Sequence, residues 1–369
     1  MARGGAERSR GRERVLLRLA IGLVLFVGLA SIGAVVLIEM GERRLSNATR
    51  IGSADGIDAL ETVRLGGVDQ TILLRGEDRD APVLLVLHGG PGMAGIPVAR
   101  RFDDRLTERF VVVHWDQRGA GLSCTPEVPD GSLELERYLA DTVELVEHLR
   151  RRFGVEKVSL LGHSWGSILG TLVARSHPEL VDTYVGMGQI VDMRRGESIS
   201  LRYALDRARA DGNARAVAEL EALGDPPYPD VESMLRQRDW LVHYGGVFHR
   251  IDGMRSLVRA ILSSPEYGLG DKLAFYGCVM RSVDAVWREI ETLDFLRDVP
   301  RLDVPVVFLV GRHDYNTPFE LVEAYHDRLE APRKRLVWFA DSGHWPHLEE
   351  PEAFQEAVIR EVLGPPPGS

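Results

Sequence analysis

The feature that most constrains the fold is the run Val158-Ser159-Leu160-Leu161-Gly162-His163-Ser164-Trp165-Gly166-Ser167-Ile168-Leu169-Gly170. An apolar, strand-like stretch breaks there at G-x-S-x-G and continues at once as helix-compatible sequence. Read as strand, sharp turn and helix, it is a nucleophile elbow, in which the serine holds a strained backbone position and the flanking glycines let strand and helix approach without a side-chain clash. Bare G-x-S-x-G is short enough to arise by chance in an ordinary glycine-rich turn. The strand before it and the helix after it separate the two cases. Ser164 is therefore the expected nucleophile.

A serine alcohol is a poor nucleophile at neutral pH, so it needs a base, and the base needs a group to orient it. Behind an elbow of this kind, the acid follows at a strand end and the histidine in a late loop. Val306 to Gly311 reads as a buried strand running into Arg312-His313-Asp314, which makes Asp314 the expected acid. Leu336 to Phe339 is a further short strand, and His344 lies in the loop between it and the last helix. His344 is the expected base. Asp341 is the fallback acid, but it is too close to His344 in sequence to reach comfortably behind the ring.

Taken together, His88-Gly89-Gly90-Pro91-Gly92, Asp116-Gln117-Arg118-Gly119, Gly162-His163-Ser164-Trp165-Gly166, Gly311-Arg312-His313-Asp314 and Gly343-His344 stand in an order that resembles the α/β-hydrolase superfamily. The HGGPG and DQRG segments point within it to the proline iminopeptidase (prolyl aminopeptidase) group. The resemblance spans about Thr62 to Leu363. It implies an α/β-hydrolase fold: a mostly parallel central sheet, helices on both faces and an inserted helical cap. It also implies that the backbone N–H groups of Gly90 and Trp165 form an oxyanion hole, and that a cap carboxylate holds the free ammonium of a peptide substrate. Glu197 is the first choice for that carboxylate and Asp192 the second. Against this stands a plain pairing of Glu197 with Arg194 or Arg195 on a solvated helix.

The 369 residues, 44% hydrophobic and 27% charged, suffice for one large catalytic unit with an attachment. A net charge of −10 offers no basic surface, and nucleic acid is not an expected partner. Residues 1–18 are arginine-rich, and Leu19 to Ile38 carries no charge. About 20 residues at about 1.5 Å each match the thickness of a hydrocarbon layer. A cleavable signal would have a shorter apolar core with its small residues after the run, whereas here they lie inside it. The expectation is an uncleaved anchor at 19–40, with the arginines in the cytoplasm and the catalytic domain outside. Residues 41–60 then read as a linker.

The core is expected in two parts, 61–188 and 297–369, opening with a hairpin around Gly66-Gly67. Val83 to Leu87, Phe110 to His114 and Leu180 to Met187 read as buried strands, and Leu133 to Phe153 as a helix with Asp141 and Glu144 on a solvated face. Arg118 is expected to pair internally. From 189 to 296 the strand-helix alternation stops, and mixed-charge helical sequence forms the expected cap. Its Trp240, Tyr244, Phe248, Phe275 and Tyr276 fit either the substrate pocket or the cap's own core.

Two cysteines, Cys124 and Cys278, make no disulfide framework; a bridge between core loop and cap is open to a domain outside the cytoplasm, but both are expected free. No Cys/His cluster has metal spacing and no dinucleotide-type glycine loop follows a strand, so no cofactor is implied. The expected partner is a small-molecule or short-peptide substrate. The chemistry implied is a serine hydrolase, either an aminopeptidase releasing short N-terminal residues, proline included, or a carboxylesterase or amidase. A catalytically silent binding shell is the reading from another class, and such shells usually lack a triad member. Ser164 at the elbow excludes an aspartate-nucleophile hydrolase.

Overall fold

A computed structural model describes residue 33 and residues 35–364. Eight strands form one sheet in the order β1-β2-β4-β3-β5-β6-β7-β8. They are β1 (Ile57–Leu65), β2 (Val68–Gly76), β3 (Val83–Leu87), β4 (Val111–Asp116), β5 (Val158–His163), β6 (Val181–Met187), β7 (Val306–Gly311) and β8 (Lys334–Phe339). β1 and β2 form the hairpin, closed by Gly66 and Gly67 at φ 53° and 79° with Leu65 opposite Val68. β2 pairs antiparallel with β4, and every later pairing is parallel.

Parallel strands are covered on both faces, and alternate side chains show it. Leu85 and Leu87 face one core with Leu145, Ile168 and Tyr325, whereas Leu84 faces another with Leu106, Phe354 and Val358. The helices supplying these residues are α3 (Asp104–Thr107), α4 (Leu135–Phe153), α5 (Trp165–Ser176), α12 (Phe319–Arg328) and α14 (Pro351–Leu363). Each fully buried Leu, Ile or Phe stabilises this arrangement by about 1.5–3 kcal/mol relative to an exposed one. α2 (Ile96–Phe102) follows the HGGPG loop, and α13 (Pro346–Glu349) follows His344.

Between β6 and β7 the chain leaves the sheet through α6 (Met193–Ala210), α7 (Ala214–Leu223), α8 (Val231–His243), α9 (Gly253–Ser263), α10 (Leu269–Ile290) and α11 (Phe295–Asp298). Asp192, Asn213, Asp230 and Asp252 each cap the following helix by accepting a first-turn N–H. Exit and return are joined: Met193 N–H donates to Leu293 O at 3.0 Å and Phe295 N–H to Val191 O at 2.7 Å.

The structure corrects three expectations. Residues 1–18 and most of Leu19 to Ile38 lie outside the described residues, and among the described residues no helix is long and apolar enough to cross a membrane. On that finding the transmembrane anchor, and with it the outside placement of the domain, is withdrawn. Residues 35–48 form a helix, α1, which turns polar from Glu39 and is tied to the body of the protein. Glu42 pairs with the buried Lys272 of α10, and Arg75 donates to Thr49 O just beyond the helix. The 41–60 linker is thus helical to residue 48 and β1 from Ile57, because these polar side chains have specific partners rather than solvent alone. The cysteines are not free. Cys124 and Cys278 form a disulfide, Cα–Cα 6.1 Å, across 154 residues of sequence, because the fold lays α10 over the loop that follows β4.

Candidate active site

Ser164 is the one non-glycine residue among those described with a positive φ, at φ 53° and ψ −119°. Such a conformation costs of order 1–3 kcal/mol and persists only where the surroundings impose it. Here they do. A Cβ on Gly166 would stand 2.0 Å from Leu87 O, and one on Gly162 2.5 Å from Gly166 O. β5, α5 and the end of β3 meet backbone to backbone, and the turn between them has no wider path.

The HGGPG loop wraps the end of β3. His88 Nε2 accepts from Gln117 N–H at 3.1 Å, so its Nδ1 donates to Gly89 O at 2.8 Å. Burial pushes the His88 pKa down to about 4, which keeps this neutral tautomer. Gln117 goes on to accept from Trp165 Nε1 at 2.9 Å and to donate to His88 O at 3.3 Å, joining the DQRG loop, the HGGPG loop and the elbow. Gly90 has φ 116°, and a Cβ there would meet Gly92 N and Met93 N at 2.7 Å. Its N–H, and that of Trp165 in the first turn of α5, donate to no protein group among the described residues.

At the other side of Ser164, His344 Nδ1 lies 2.9 Å from Asp314 Oδ2 and 3.1 Å from Thr317 Oγ1. Thr317 Oγ1 donates to Asp314 Oδ2 at 2.8 Å, and the N–H groups of Asn316 and Thr317 both donate to Asp314 Oδ1 at 2.9 Å. Asp314 and His344 are 2% and 3% exposed. Asp341 is exposed and pairs with Arg250 at 2.7 Å, so it is not the acid behind the ring. Ser164 and His344 line one cavity between the sheet and the cap. Ser164 Oγ itself makes no hydrogen bond among the described residues, and such contacts often tighten only around substrate.

Glu197 lines the same cavity from α6. It does not pair with Arg194 or Arg195. One oxygen accepts from the partly buried Arg238 of α8, and the other, Oε2, is buried without a partner. Asp192 is occupied as the cap of α6, its Oδ1 accepting from Arg195 N–H at 3.0 Å. Among the cap aromatics, Phe248 lines the Ser164 cavity and Phe275 a neighbouring one, Trp240 and Tyr244 pack on the core of α6 and α7, and Tyr276 is 70% exposed.

Sequence reasoning missed Thr317, His88 and Arg238 as supporting side chains, whereas the DQRG loop that carries Gln117 was expected to support the site. Only the two loop motifs carried a signal, for His88 and Gln117. Asp141, read as solvated, is fully buried and takes Arg118 at 2.8 and 3.1 Å, because the β1–β2 hairpin covers that face of α4.

Asp116 of the DQRG loop is buried and receives Tyr267 Oη–H, Leu122 N–H at 2.9 Å and Ile96 N–H at 3.3 Å. Burial outweighs these donors and pushes its pKa from 3.8 up to about 6. The folded protein therefore holds this proton more tightly than the unfolded chain does. The resulting stability is present below about pH 4 and lost as pH rises through about 6, a change on the order of 2–3 kcal/mol. Urea denaturation of the wild type and of Asp116→Asn across this range is expected to differ by that slope. Parallel curves would show that Asp116 does not titrate there.

Residues 83–357 match the model of the alpha/beta hydrolase family. A probable aminopeptidase of Bacillus subtilis, YbaC, is 32% identical over 305 residues, covering 82% of this chain and 96% of that one. The proline iminopeptidase of Lactobacillus delbrueckii subsp. lactis is 27% identical over 292 residues, 77% and 90% of the two chains. In fold, the crystal structure of proline iminopeptidase from Mycobacterium smegmatis superposes with a TM-score of 0.58 at 21% identity, over 83% of this chain and 98% of the other. With its elbow, its loops and its sheet order in place, the chain belongs to the alpha/beta hydrolase family, within the group that resembles the proline iminopeptidases.

Proposed function

We propose that the protein is a serine hydrolase that removes short N-terminal residues from peptides, acting through Ser164, His344 and Asp314. Ser164 Oγ attacks the substrate carbonyl carbon while His344 Nε2 takes the hydroxyl proton, and Asp314 holds the imidazole and its developing charge. The oxyanion lies between the free N–H groups of Gly90 and Trp165, a pair of donors of which each is worth about 100- to 1000-fold in rate. His344 then gives its proton to the leaving amine as the C–N bond breaks. Water, deprotonated by the same ring, cleaves the acyl-serine and restores Ser164. The observation that carries this reading is the Asp314–His344 hydrogen bond facing the cavity that holds a positive-φ serine.

The aminopeptidase part rests on Glu197 and on the names of the relatives. Its free Oε2 is a buried acceptor in the Ser164 cavity, where an ammonium would satisfy it. An alternative reading, a carboxylesterase or amidase for neutral acyl groups, is favoured by the other oxygen. Arg238 already balances the Glu197 charge, so a neutral group would enter without meeting a bare carboxylate.

Turnover of Pro-naphthylamide, its N-acetylated form and a p-nitrophenyl ester separates the two. An aminopeptidase is expected to require the free amine, and Glu197→Gln to lower that preference by about 10- to 100-fold, the worth of a charged hydrogen bond. Equal turnover of free and blocked substrates would leave the esterase or amidase.

A further inference from the structure

The cap meets the catalytic loops through its backbone as well as through the side chains that line the cavity. Between α8 and α9, residues 246–250 form a strap across the loops that carry Asp314 and His344. Gly246 O accepts from Tyr315 N–H, next to Asp314, at 2.9 Å, and Val247 O accepts from His344 N–H at 2.8 Å. The chains leave no room for a side chain between them. A Cβ on Gly343 would stand 2.5 Å from Val247 O, and one on Gly311 would stand 2.0 Å from Gly343 O. The loop before His344 is therefore pressed between the end of β7 and the strap.

One carboxylate closes this arrangement. Glu349, the last residue of α13, accepts the N–H groups of His249 and Arg250 on Oε1, at 2.6 and 2.9 Å, and that of Gly343 on Oε2, at 2.6 Å. Its two oxygens thus hold the strap and the His344 loop against each other. Neighbouring Glu350 holds the loop alone, taking Asp341 N–H at 3.0 Å and Ser342 Oγ–H at 2.7 Å on one oxygen. Another tie across the strap, Arg250 with Asp341, is exposed at both ends and contributes little. Val247 and Phe248 of the strap line the Ser164 cavity, whereas Glu349 does not.

The imidazole has to serve twice, taking the serine proton and then giving it to the leaving group. A displacement of about 1 Å in such a group can cost on the order of 100-fold in rate. We propose that Glu349 is a positioning residue for His344, fixing the ring by clamping the loop before it to the strap. Glu349 touches no reacting atom and acts through His344. A cap that lifted at this strap would take the support of the base with it. The proposal rests on Ser164 and His344 being the reacting pair, and is independent of which acyl group the cavity takes.

Two esters that share an acyl group, the ethyl and the p-nitrophenyl ester of proline or of acetate, whichever the wild type turns over, test it. p-Nitrophenolate leaves without a proton, whereas ethoxide needs one from His344, so the ethyl ester depends on the ring at both steps of acylation. In Glu349→Gln the single oxygen can serve one side only, and the NH₂ then faces an N–H donor on the other. Per active site, counted by fluorophosphonate titration run to completion, kcat/KM is expected to fall by about 100-fold on the ethyl ester and by about tenfold or less on the p-nitrophenyl ester. Glu349→Ala opens the strap N–H groups to water and should lower the ethyl to p-nitrophenyl ratio in the same way. Equal losses on the two esters would make Glu349 a part of the fold alone and overturn the proposal, as would unchanged kcat/KM in both variants. Full activity of Ser164→Ala would instead remove the reading on which it rests.

Discussion

Ser164→Ala is expected to lower kcat by about 10⁴- to 10⁶-fold on every ester or amide the protein turns over, with its thermal melt unchanged. Alanine removes the hydroxyl oxygen of the elbow serine while keeping the Cβ, so the backbone at φ 53° meets the same neighbours as before. His344→Ala should fall in the same range, because the ring both takes the serine proton and returns it to the leaving group. The double variant should be no worse than either single one, since groups acting as a unit are not additive. A fluorophosphonate probe should label the wild type and neither variant. Activity of Ser164→Ala close to that of the wild type would sink the nucleophile assignment, and an unlabelled, inactive wild type would restore the binding-shell reading.

The sequence disclosed the elements built from local signals and little that depends on chains meeting. Val83 to Leu87 and Val306 to Gly311 read correctly because strands buried on both faces are continuous apolar runs, here each preceded by a proline and followed by a polar residue. The Gly66-Gly67 turn read correctly because two adjacent glycines suit a tight hairpin. The long-range pairs were hidden. Nothing in the spacing of Cys124 and Cys278 indicates that α10 crosses the loop after β4, and nothing around Asp141 indicates that a hairpin seals its face of α4. Glu197 shows both cases at once: its place early in the cap was readable, but its partner Arg238 comes from the next helix but one. The apolar stretch near the start was weighed by length and charge alone. The contacts of Glu42 and Thr49 just beyond it, which only the fold reveals, tie that end of the chain to α10 and β2.

Asp314→Asn is expected to lower kcat/KM by about 10⁴-fold, and to be more damaging than Asp314→Ala. An asparagine must choose which way to face. If its oxygen keeps the two backbone N–H groups of Asn316 and Thr317, its NH₂ turns toward His344 Nδ1 and the Thr317 hydroxyl. The reverse orientation would set an NH₂ against two buried N–H donors at about 1–3 kcal/mol each, so the first prevails. A donor facing Nδ1 drives the imidazole proton to Nε2, the atom that has to accept from Ser164. Alanine loses the carboxylate charge as well but imposes no such tautomer. Ranking the two variants by kcat/KM therefore tests the geometry rather than the charge, and an Asp314→Asn enzyme as active as Asp314→Ala would mean that the ring is oriented by Thr317 instead. Thr317→Val separates that case: with Asp314 in place, losing the hydroxyl that donates to Oδ2 should cost only about tenfold, the worth of one buried hydrogen bond.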